Sequence, residues 1–291
     1  MTTDTPTTGT TLRALVAFQQ FRTPAKVTRA LLDPNAAILR QVWREMDRST
    51  RMELARKSDA LTARGVVAIT ADDQRFPRAL VIKGRPIAPV LFCLGPIELL
   101  TTPGVGICGS RKATPLGLNT ARECGHEISA NAMTTVSGYA KGVDTESHLG
   151  ALERSGSTVL VLAEGIDHFR IKRDVSQQYV PDRVLVVSQF HPQQPWAAHA
   201  AMTRNHLIFN LGMALVVIEA GERGGTLAAG QEALKRGRPV LVSDFGEQSF
   251  PGNKILLHEG AQAISSREAL RDALNAIKNR QANWPEQGEL L

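Results

Sequence analysis

Residues 104–117 read GVGICGSRKATPLG, and this stretch carries the strongest signal for the fold. Its first six residues match the dinucleotide fingerprint G-x-G-x-x-G, whose glycines normally lie in the turn between a strand and a helix. Here the apolar residues 105–108 predict the strand itself, so two of the three glycines lie before or inside it. The turn begins only at Gly109. Thr114 and Pro115 are then typical of the cap and the first position of a following helix.

The turn after this strand carries two cations, Arg111 and Lys112. A dinucleotide site also needs an acidic residue about 20 positions further on, which binds a ribose hydroxyl. Glu123 and Glu127 come too early for that role and fall within the next predicted helix. We therefore favour a phosphate-like anion over NAD at this turn, and we predict no cofactor.

Short apolar segments alternate with helical patterns along most of the chain. Strands that are apolar throughout and alternate with helices indicate an α/β protein whose doubly wound, mostly parallel sheet is covered on both faces. The predicted strands are 65–70, 90–94, 105–108, 134–136, 158–163, 184–188, 214–220 and 239–242. The predicted helices between and after them are 115–130, 145–154, 202–211, 227–236 and 267–280.

The region before the first strand is predicted to be helical, because apolar residues recur there at helical spacing from Leu12 onward. No internal repeat is evident. We expect a disordered tail over 1–11, a small helical N-terminal domain over 12–64, a Rossmann-like domain over 65–280 and a C-terminal tail over 281–291.

Composition limits the class of protein. The chain has 291 residues, 43% hydrophobic and 21% charged, which is typical of a soluble globular protein. Its formal net charge of +6 favours anionic partners such as nucleic acid. Cys93, Cys108 and Cys124 are predicted to be buried thiols, neither disulfides nor zinc ligands. No apolar run approaches the ~20 residues of a membrane span, so we predict a cytoplasmic protein without a membrane partner.

Glycine turns follow several predicted strands. In a doubly wound sheet, ligands bind outside the carboxyl ends of the strands, where glycines allow close approach and helix N-termini present N–H groups to anions. Together the turns predict a phosphate or nucleotide crevice, although each one is alternatively an ordinary connection from strand to helix. The turns cover 109–111, 137–144, 165–167 and 221–226.

Three further groups of polar residues are candidate functional sites. Asp144 and His148 share a helix face and suit an acid–base pair or metal ligands, but a helix cap for Asp144 and a local hydrogen bond for His148 are favoured. No catalytic or metal site is predicted. Residues 169–173, FRIKR, combine an aromatic ring with cations as in a single-strand groove, or form a solvated charged loop. Residues 204–206 start a polar patch at the head of a helix, where surface capping is the alternative.

Several segments in register resemble the DprA/Smf family, of the Rossmann-like SLOG superfamily. The order and spacing match over roughly residues 67–264. The segments are AITADDQRFPRAL at 68–80, GSR at 109–111, SGYAKGVDTESHLGAL at 137–152, GSTVLVLAEGID at 156–167, TRNHLIFNL at 203–211 and VVIEAGERGGTLAAGQEALKRGRPV at 216–240. The resemblance implies an extended Rossmann-like fold without NAD or known chemistry. It also implies a homodimer that binds single-stranded DNA in a basic pocket and helps to load a RecA-type recombinase during DNA uptake.

The resemblance and the glycine turns together predict one set of DNA- and phosphate-binding residues. Its members come from the turns, the basic segment and the polar patch. They are Gly109, Ser110, Arg111, Lys112, Ser137, Gly138, Lys141, Phe169, Arg170, Lys172, Arg173, Arg204, Asn205, Gly224, Gly225 and Thr226.

The chain departs from the family pattern at several positions. His206 replaces an arginine, Gln189 replaces a glutamate, and 224–229 reads GGTLAA where the family has Ser-Gly-Ser/Thr-Leu-x-Thr-Ala. Residues 243–244 are Ser-Asp where a Pro-Gly pair is expected, and no C-terminal winged-helix module is recognised. These departures leave open a regulatory or antitoxin role in a defence or toxin–antitoxin module.

A third alternative is an enzyme, because the fold also resembles the nucleotide-cleaving LOG phosphoribohydrolases. Those proteins carry Pro-Gly-Gly-x-Gly-Thr-x-x-Glu. Here Ala229 stands where the catalytic glutamate belongs, and Glu232 comes one turn too late. Since sites rather than folds carry function, hydrolysis is disfavoured and we predict no enzymatic activity.

Overall fold

The computed structural model describes residues 9–282. Of the two predicted tails, residues 1–8 and 283–291 lie outside this range. The helices are α1 (Thr10–Gln20), α2 (Pro24–Leu31), α3 (Ala37–Glu45), α4 (Arg48–Ala63), α5 (Pro115–Ala130), α6 (Val143–Glu153), α7 (Arg173–Ser176), α8 (Ala198–Leu211), α9 (Gly225–Lys235), α10 (Pro251–His258) and α11 (Arg267–Ala282). The strands are β1 (Val66–Ile69), β2 (Val81–Ile82), β3 (Arg85–Pro86), β4 (Leu91–Leu94), β5 (Gly104–Gly109), β6 (Thr134–Gly138), β7 (Thr158–Val161), β8 (Val184–Ser188), β9 (Leu215–Ile218), β10 (Val240–Ser243) and β11 (Gln262–Ile264).

Nine of these strands form one sheet in the order β1-β4-β8-β7-β6-β5-β9-β10-β11. The seven strands from β8 to β11 in this order are parallel, and β4 runs antiparallel to both β8 and β1. From β5 the chain first winds toward β8 and later returns to β9 on the other side. The strand order therefore reverses between β5 and β9, and the predicted doubly wound, mostly parallel α/β sheet is confirmed.

Helices cover both faces of the sheet. Along β9, Leu215 and Val217 pack with α8, α9 and α10, whereas Val216 and Ile218 pack on the opposite face with α5 and α11. The helices α1 to α4 also lie on that opposite face, where they share a core with Phe92 of β4. Their treatment as a separate domain stays a prediction.

The fingerprint glycines lie inside β5, as the sequence predicts. A Cβ atom at Gly106 would approach Ile208 O of α8 to 3.0 Å. These glycines therefore allow a helix to pack closely on the strand, which is a structural role rather than a dinucleotide-binding one.

Some elements were missed or misplaced by the sequence analysis. The edge strand β11 has only three residues, two of them exposed, so it lacks an apolar pattern. The helix α10 was missed because it begins at Pro251 and Gly252, a pair that is typical of a turn. The Asn253 side chain in its first turn joins the ends of β9 and β10, because it accepts from the Ala220 N–H (2.7 Å) and donates to Ser243 O (2.7 Å). A Pro-Gly pair therefore does follow β10, at residues 251–252, although residues 243–244 are Ser-Asp.

Candidate functional site

The carboxyl ends of β5, β6, β7 and β9 border two adjoining cavities of about 370 Å³ each. The cavities lie where the strand order reverses, which is where ligands bind in open α/β sheets. We call the first the lysine cavity, and its lining is Arg111, Lys112, Tyr139, Ala140, Lys141, Ala163, Glu164, Lys172, Trp196 and Arg204. We call the second the glycine cavity, and its lining is Cys108, Gly109, Ser110, Arg111, Ala140, Asp144, Trp196, Ala198, Ala201, Met202, Arg204, Asn205, Gly225 and Thr226.

The lysine cavity is strongly cationic, since five Lys or Arg side chains line it against the single carboxylate of Glu164. Lys172 is held in place by three contacts with Tyr139. Its Nζ donates to Tyr139 O (2.6 Å) and lies 4.1 Å from the ring centroid, and its backbone N–H donates to the Tyr139 hydroxyl (2.8 Å). Burial lowers the pKa of Lys172 from its ordinary value. The cavity therefore combines one fixed ammonium group with the exposed side chains of Arg111, Lys112 and Lys141.

The glycine cavity is built mainly from backbone and small side chains. Ser110 Oγ accepts from the Lys112 N–H (3.0 Å), which shapes the turn after β5. Thr226 Oγ1 donates to Gly109 O (3.1 Å) and so joins the start of α9 to the end of β5. The two turns on either side of the strand reversal thus contact each other directly.

A buried ion pair lies between the two cavities. Arg204 is 5% exposed, and its Nη1 donates to Val161 O (3.1 Å) and lies 3.6 Å from Asp144 Oδ2. Burial lowers the pKa of Arg204, but a guanidinium group remains charged. Its Nε is buried and has no hydrogen-bond partner among the described residues. A Cβ atom at Gly138 would overlap this guanidinium group, so only glycine fits at the end of β6.

The start of α5 is closed by a carboxylate of the protein itself. Thr114 is the N-cap, with its hydroxyl accepting from Gly117 N–H (3.1 Å), which confirms the predicted cap. Glu219, directly after β9, is 1% exposed and accepts from the Thr114 N–H (2.8 Å) and from its hydroxyl. Its backbone has a φ of 54°, in the left-handed region that non-glycine residues rarely adopt. An anion thus already occupies the position at which a Rossmann fold usually holds phosphate.

Most of the predicted site residues come together around the two cavities. Arg111 and Arg204 line both of them. The other predicted residues that line one cavity are Gly109, Ser110, Lys112, Lys141, Lys172, Asn205, Gly225 and Thr226.

The remaining predicted residues do not line a cavity. Phe169 is 8% exposed and packs in the core against Tyr139, with ring centroids 5.6 Å apart, which corrects the expectation of an exposed ring that stacks on a base. Ser137 is fully buried and donates to Ile107 O (2.7 Å). Gly138 lies beneath Arg204. Arg170, Arg173 and Gly224 are exposed outside the cavity linings.

Sequence reasoning missed Trp196, which lines both cavities and is 51% exposed. The guanidinium carbon of Arg111 lies 5.3 Å from its ring centroid. The signal was an aromatic residue in the otherwise polar, proline-rich loop HPQQPWAAH between a predicted strand and a predicted helix.

Asp144 and His148 do not form a catalytic pair. Gly142, not Asp144, is the N-cap of α6, and the Asp144 carboxylate accepts from Ala140 N–H (3.3 Å). His148 is buried between Thr158 Oγ1 (2.6 Å) and Gly138 O (2.5 Å), and burial lowers its pKa to about 4, so it is neutral. Within residues 9–282, no group of three His, Cys, Asp or Glu side chains is arranged to hold a metal ion.

The three cysteines are unpaired and buried. Burial raises the pKa of Cys93 and Cys124 to about 12 and that of Cys108 as well. These thiols therefore stay protonated and are poor nucleophiles or metal ligands.

Comparison with known proteins adds sequence relatives and fold neighbours. Residues 67–275 match the family model described as DNA recombination-mediator protein A. The DNA processing protein DprA of Streptococcus pneumoniae is 34% identical over 184 residues, which cover 62% of this chain and 64% of that protein. The Smf protein of Synechocystis is 31% identical over 217 residues, covering 72% and 54%. This chain thus aligns with less than two thirds of either relative's length.

Two solved structures share the fold. The crystal structure of DprA from Streptococcus pneumoniae superposes with a TM-score of 0.68 at 24% identity, covering 91% of this chain and 93% of that one. DNA processing protein A from Helicobacter pylori, a structure described for its single-stranded DNA binding mode, has a TM-score of 0.61 at 24% identity, covering 75% and 97%. Among the described residues, none of the helices has the length and apolar character to cross a membrane.

Proposed function

Because the chain belongs to the DNA recombination-mediator protein A family, which includes the DprA and Smf proteins, we propose that it binds single-stranded DNA in the lysine and glycine cavities. The observation that carries this proposal is the convergence of five cationic side chains on one cavity with a single carboxylate. Such a groove tracks the phosphate backbone of a single strand. The family resemblance extends the proposal to assistance of a RecA-type recombinase.

The cations divide into two groups with different tasks. Arg111, Lys112 and Lys141 are exposed, so their long side chains can reach successive phosphates. Lys172 and Arg204 are held by hydrogen bonds in fixed positions, and Lys172 supplies the larger positive potential because Arg204 is paired with Asp144. Fixed charges lose little conformational entropy on binding, whereas the exposed side chains adapt to the irregular path of a flexible strand.

Fluorescence anisotropy with a labelled oligonucleotide, repeated across salt concentrations, tests this function. We expect a steep decrease in affinity with salt, because each phosphate contact releases condensed counterions. Arg111→Ala should weaken binding and reduce the slope of log K against log salt by about 0.7 for each phosphate that the arginine neutralises. Lys235→Ala is the matched control, since it removes the same charge from an exposed side chain at the far end of α9. Wild-type protein that does not bind the oligonucleotide would contradict the proposal.

The partner protein is a second part of the proposal. We propose a homodimer located in the cytoplasm whose partner is a RecA-type recombinase. Binding of the purified protein to such a recombinase on single-stranded DNA supports this role. The absence of recombinase binding would contradict it, and the alternative that the departures at Gln189 and His206 leave open is a toxin or defence protein as partner.

We propose binding without a reaction. In α9 the side chain at the position of the LOG glutamate is the buried methyl group of Ala229, and Glu232 pairs with Arg236 at 2.7 Å. Neither offers a carboxylate to the cavities. Cleavage of nucleoside monophosphates by the purified protein would overturn this view.

A further inference from the structure

Trp196 is exposed although the loop that carries it is well held. The loop spans residues 189–197, between β8 and α8. The Gly165 N–H donates to Gln194 O (2.8 Å), and the Asp167 N–H donates to Pro192 O (3.0 Å). These backbone bonds fix the loop against the segment after β7. The exposure of the ring is therefore a feature of an ordered loop.

The ring lies on the boundary between the lysine and glycine cavities, because it lines both. The Arg111 guanidinium group approaches it from the opposite turn, at 5.3 Å from the ring centroid. In the glycine cavity, which Trp196 also lines, Met202 is 55% exposed. Trp196 thus contacts a cation and shares its cavity with an exposed apolar side chain.

Leaving so large an aromatic surface in water forfeits hydrophobic free energy. The buried Trp43, which is 7% exposed, shows how this chain places such a ring when it serves the core. An exposed indole beside a cation suits a ligand that has both flat rings and phosphates. Phe169, the aromatic residue that the sequence suggested for stacking, is in the core and does not supply this surface.

We propose that Trp196 stacks on an unpaired base of the bound strand while Arg111 and its neighbours hold the phosphates on either side. This inference rests on the proposed binding of single-stranded DNA in the same cavities. Base faces are free in a single strand and covered in a duplex. Trp196 therefore selects unpaired over paired nucleotides, with little preference among the four bases.

Two oligonucleotides of equal length separate stacking from phosphate contact: oligothymidylate, and a strand of abasic residues with the same phosphates. Trp196→Ala should weaken binding of oligothymidylate by about 5- to 150-fold, the range expected for one stacked base. Trp196→Phe should recover much of this affinity. On the abasic strand, wild-type protein and both variants should bind equally.

Arg111→Ala is the matched control, and it should weaken binding of both strands and reduce the salt slope. Trp196→Ala should leave the salt slope unchanged. If wild-type protein binds neither strand, the proposed function itself fails. If it binds both, but Trp196→Ala changes neither affinity or changes both equally, single-strand binding stands and the stacking role of Trp196 is wrong.

Discussion

Two helices begin at the same edge of the sheet, on either side of the strand reversal, and their first turns have opposite surroundings. At α5, the Thr114 hydroxyl caps the helix and the Glu219 carboxylate closes the turn from the neighbouring strand end. At α9, no side chain among the described residues caps the helix, and Gly225 and Thr226 instead line the glycine cavity. From the sequence alone, both turns are predicted to be glycine-containing anion sites. In the structure, the Glu219 carboxylate fills the start of α5, whereas the start of α9 faces the glycine cavity.

This difference affects the position at which the first turn of a Rossmann-like sheet usually holds its ligand. A phosphate at the start of α5 would meet the carboxylate of Glu219 and be repelled by it. The same carboxylate holds the turn that projects Arg111 and Lys112 toward the cavities. We therefore propose that the closed start of α5 contributes to stability and shape, whereas the open start of α9 contributes to DNA binding. The variants below test the effects on stability and, for the last pair, on binding as well.

The largest expected effect is that of Glu219→Ala. It removes a buried charged acceptor from two Thr114 donors and leaves the start of α5 without its anion. We expect a decrease of about 3 kcal/mol in the free energy of unfolding, measured by chemical denaturation. Glu222→Ala, three residues later in the exposed turn before α9, is the matched control and should change stability by less than about 0.5 kcal/mol. If the two variants lower the free energy of unfolding equally, the proposed difference between the helix starts is wrong.

The pH dependence of stability gives the next largest effect. Burial lowers the pKa of His148 in the folded protein from 6.5 to about 4. Between these values the unfolded state binds more protons, so stability is fully present above pH 6.5 and falls as the pH decreases toward 4. This residue alone should cost about 2 kcal/mol between pH 7 and pH 5.

Denaturation of His148→Gln at several pH values should show a flatter profile over this window. The exposed His168 provides the control, because His168→Gln should leave the profile unchanged. A pH profile that is the same in wild-type protein and His148→Gln would contradict the assignment. Buried groups beneath the site thus respond to pH, whereas the exposed cations respond to salt.

The sequence predicts the parts of this arrangement that depend on neighbouring residues. The cap at Thr114 and Pro115 and the exact span of α5 were predicted because capping chemistry is local. The sheet was predicted because fully apolar strands have a distinct pattern. The cations Arg111 and Lys141 were placed correctly beyond the carboxyl ends of the strands, because each follows a predicted strand.

Other features depend on contacts that no local pattern encodes. Glu219 meets Thr114 across 105 residues of sequence, so its role at the start of α5 has no local signal. The burial of Phe169 was not predicted, because the pattern FRIKR does not state which side chains face the core. Trp196 was missed because its loop lacks the periodicity that marks helices and strands.

The smallest expected effect comes from adding one methyl group at each helix start. In Gly117→Ala, the new Cβ would overlap the Glu219 carboxylate, which is held by Thr114, so we expect a decrease of about 1 kcal/mol in stability. In Gly225→Ala, the nearest atom is Asn205 Nδ2 at 4.0 Å, so we expect an increase of about 0.5 kcal/mol from the reduced entropy of the unfolded chain.

Single-stranded DNA affinity of the same two variants should show the opposite order. The methyl group of Gly225→Ala enters the glycine cavity and should weaken binding several-fold, whereas Gly117 lines neither cavity, so Gly117→Ala should weaken binding less. Denaturation and fluorescence anisotropy measure the two quantities separately. If both alanines reduce stability and spare affinity, the start of α9 is as closed as that of α5, and the strand must contact the protein through the lysine cavity alone.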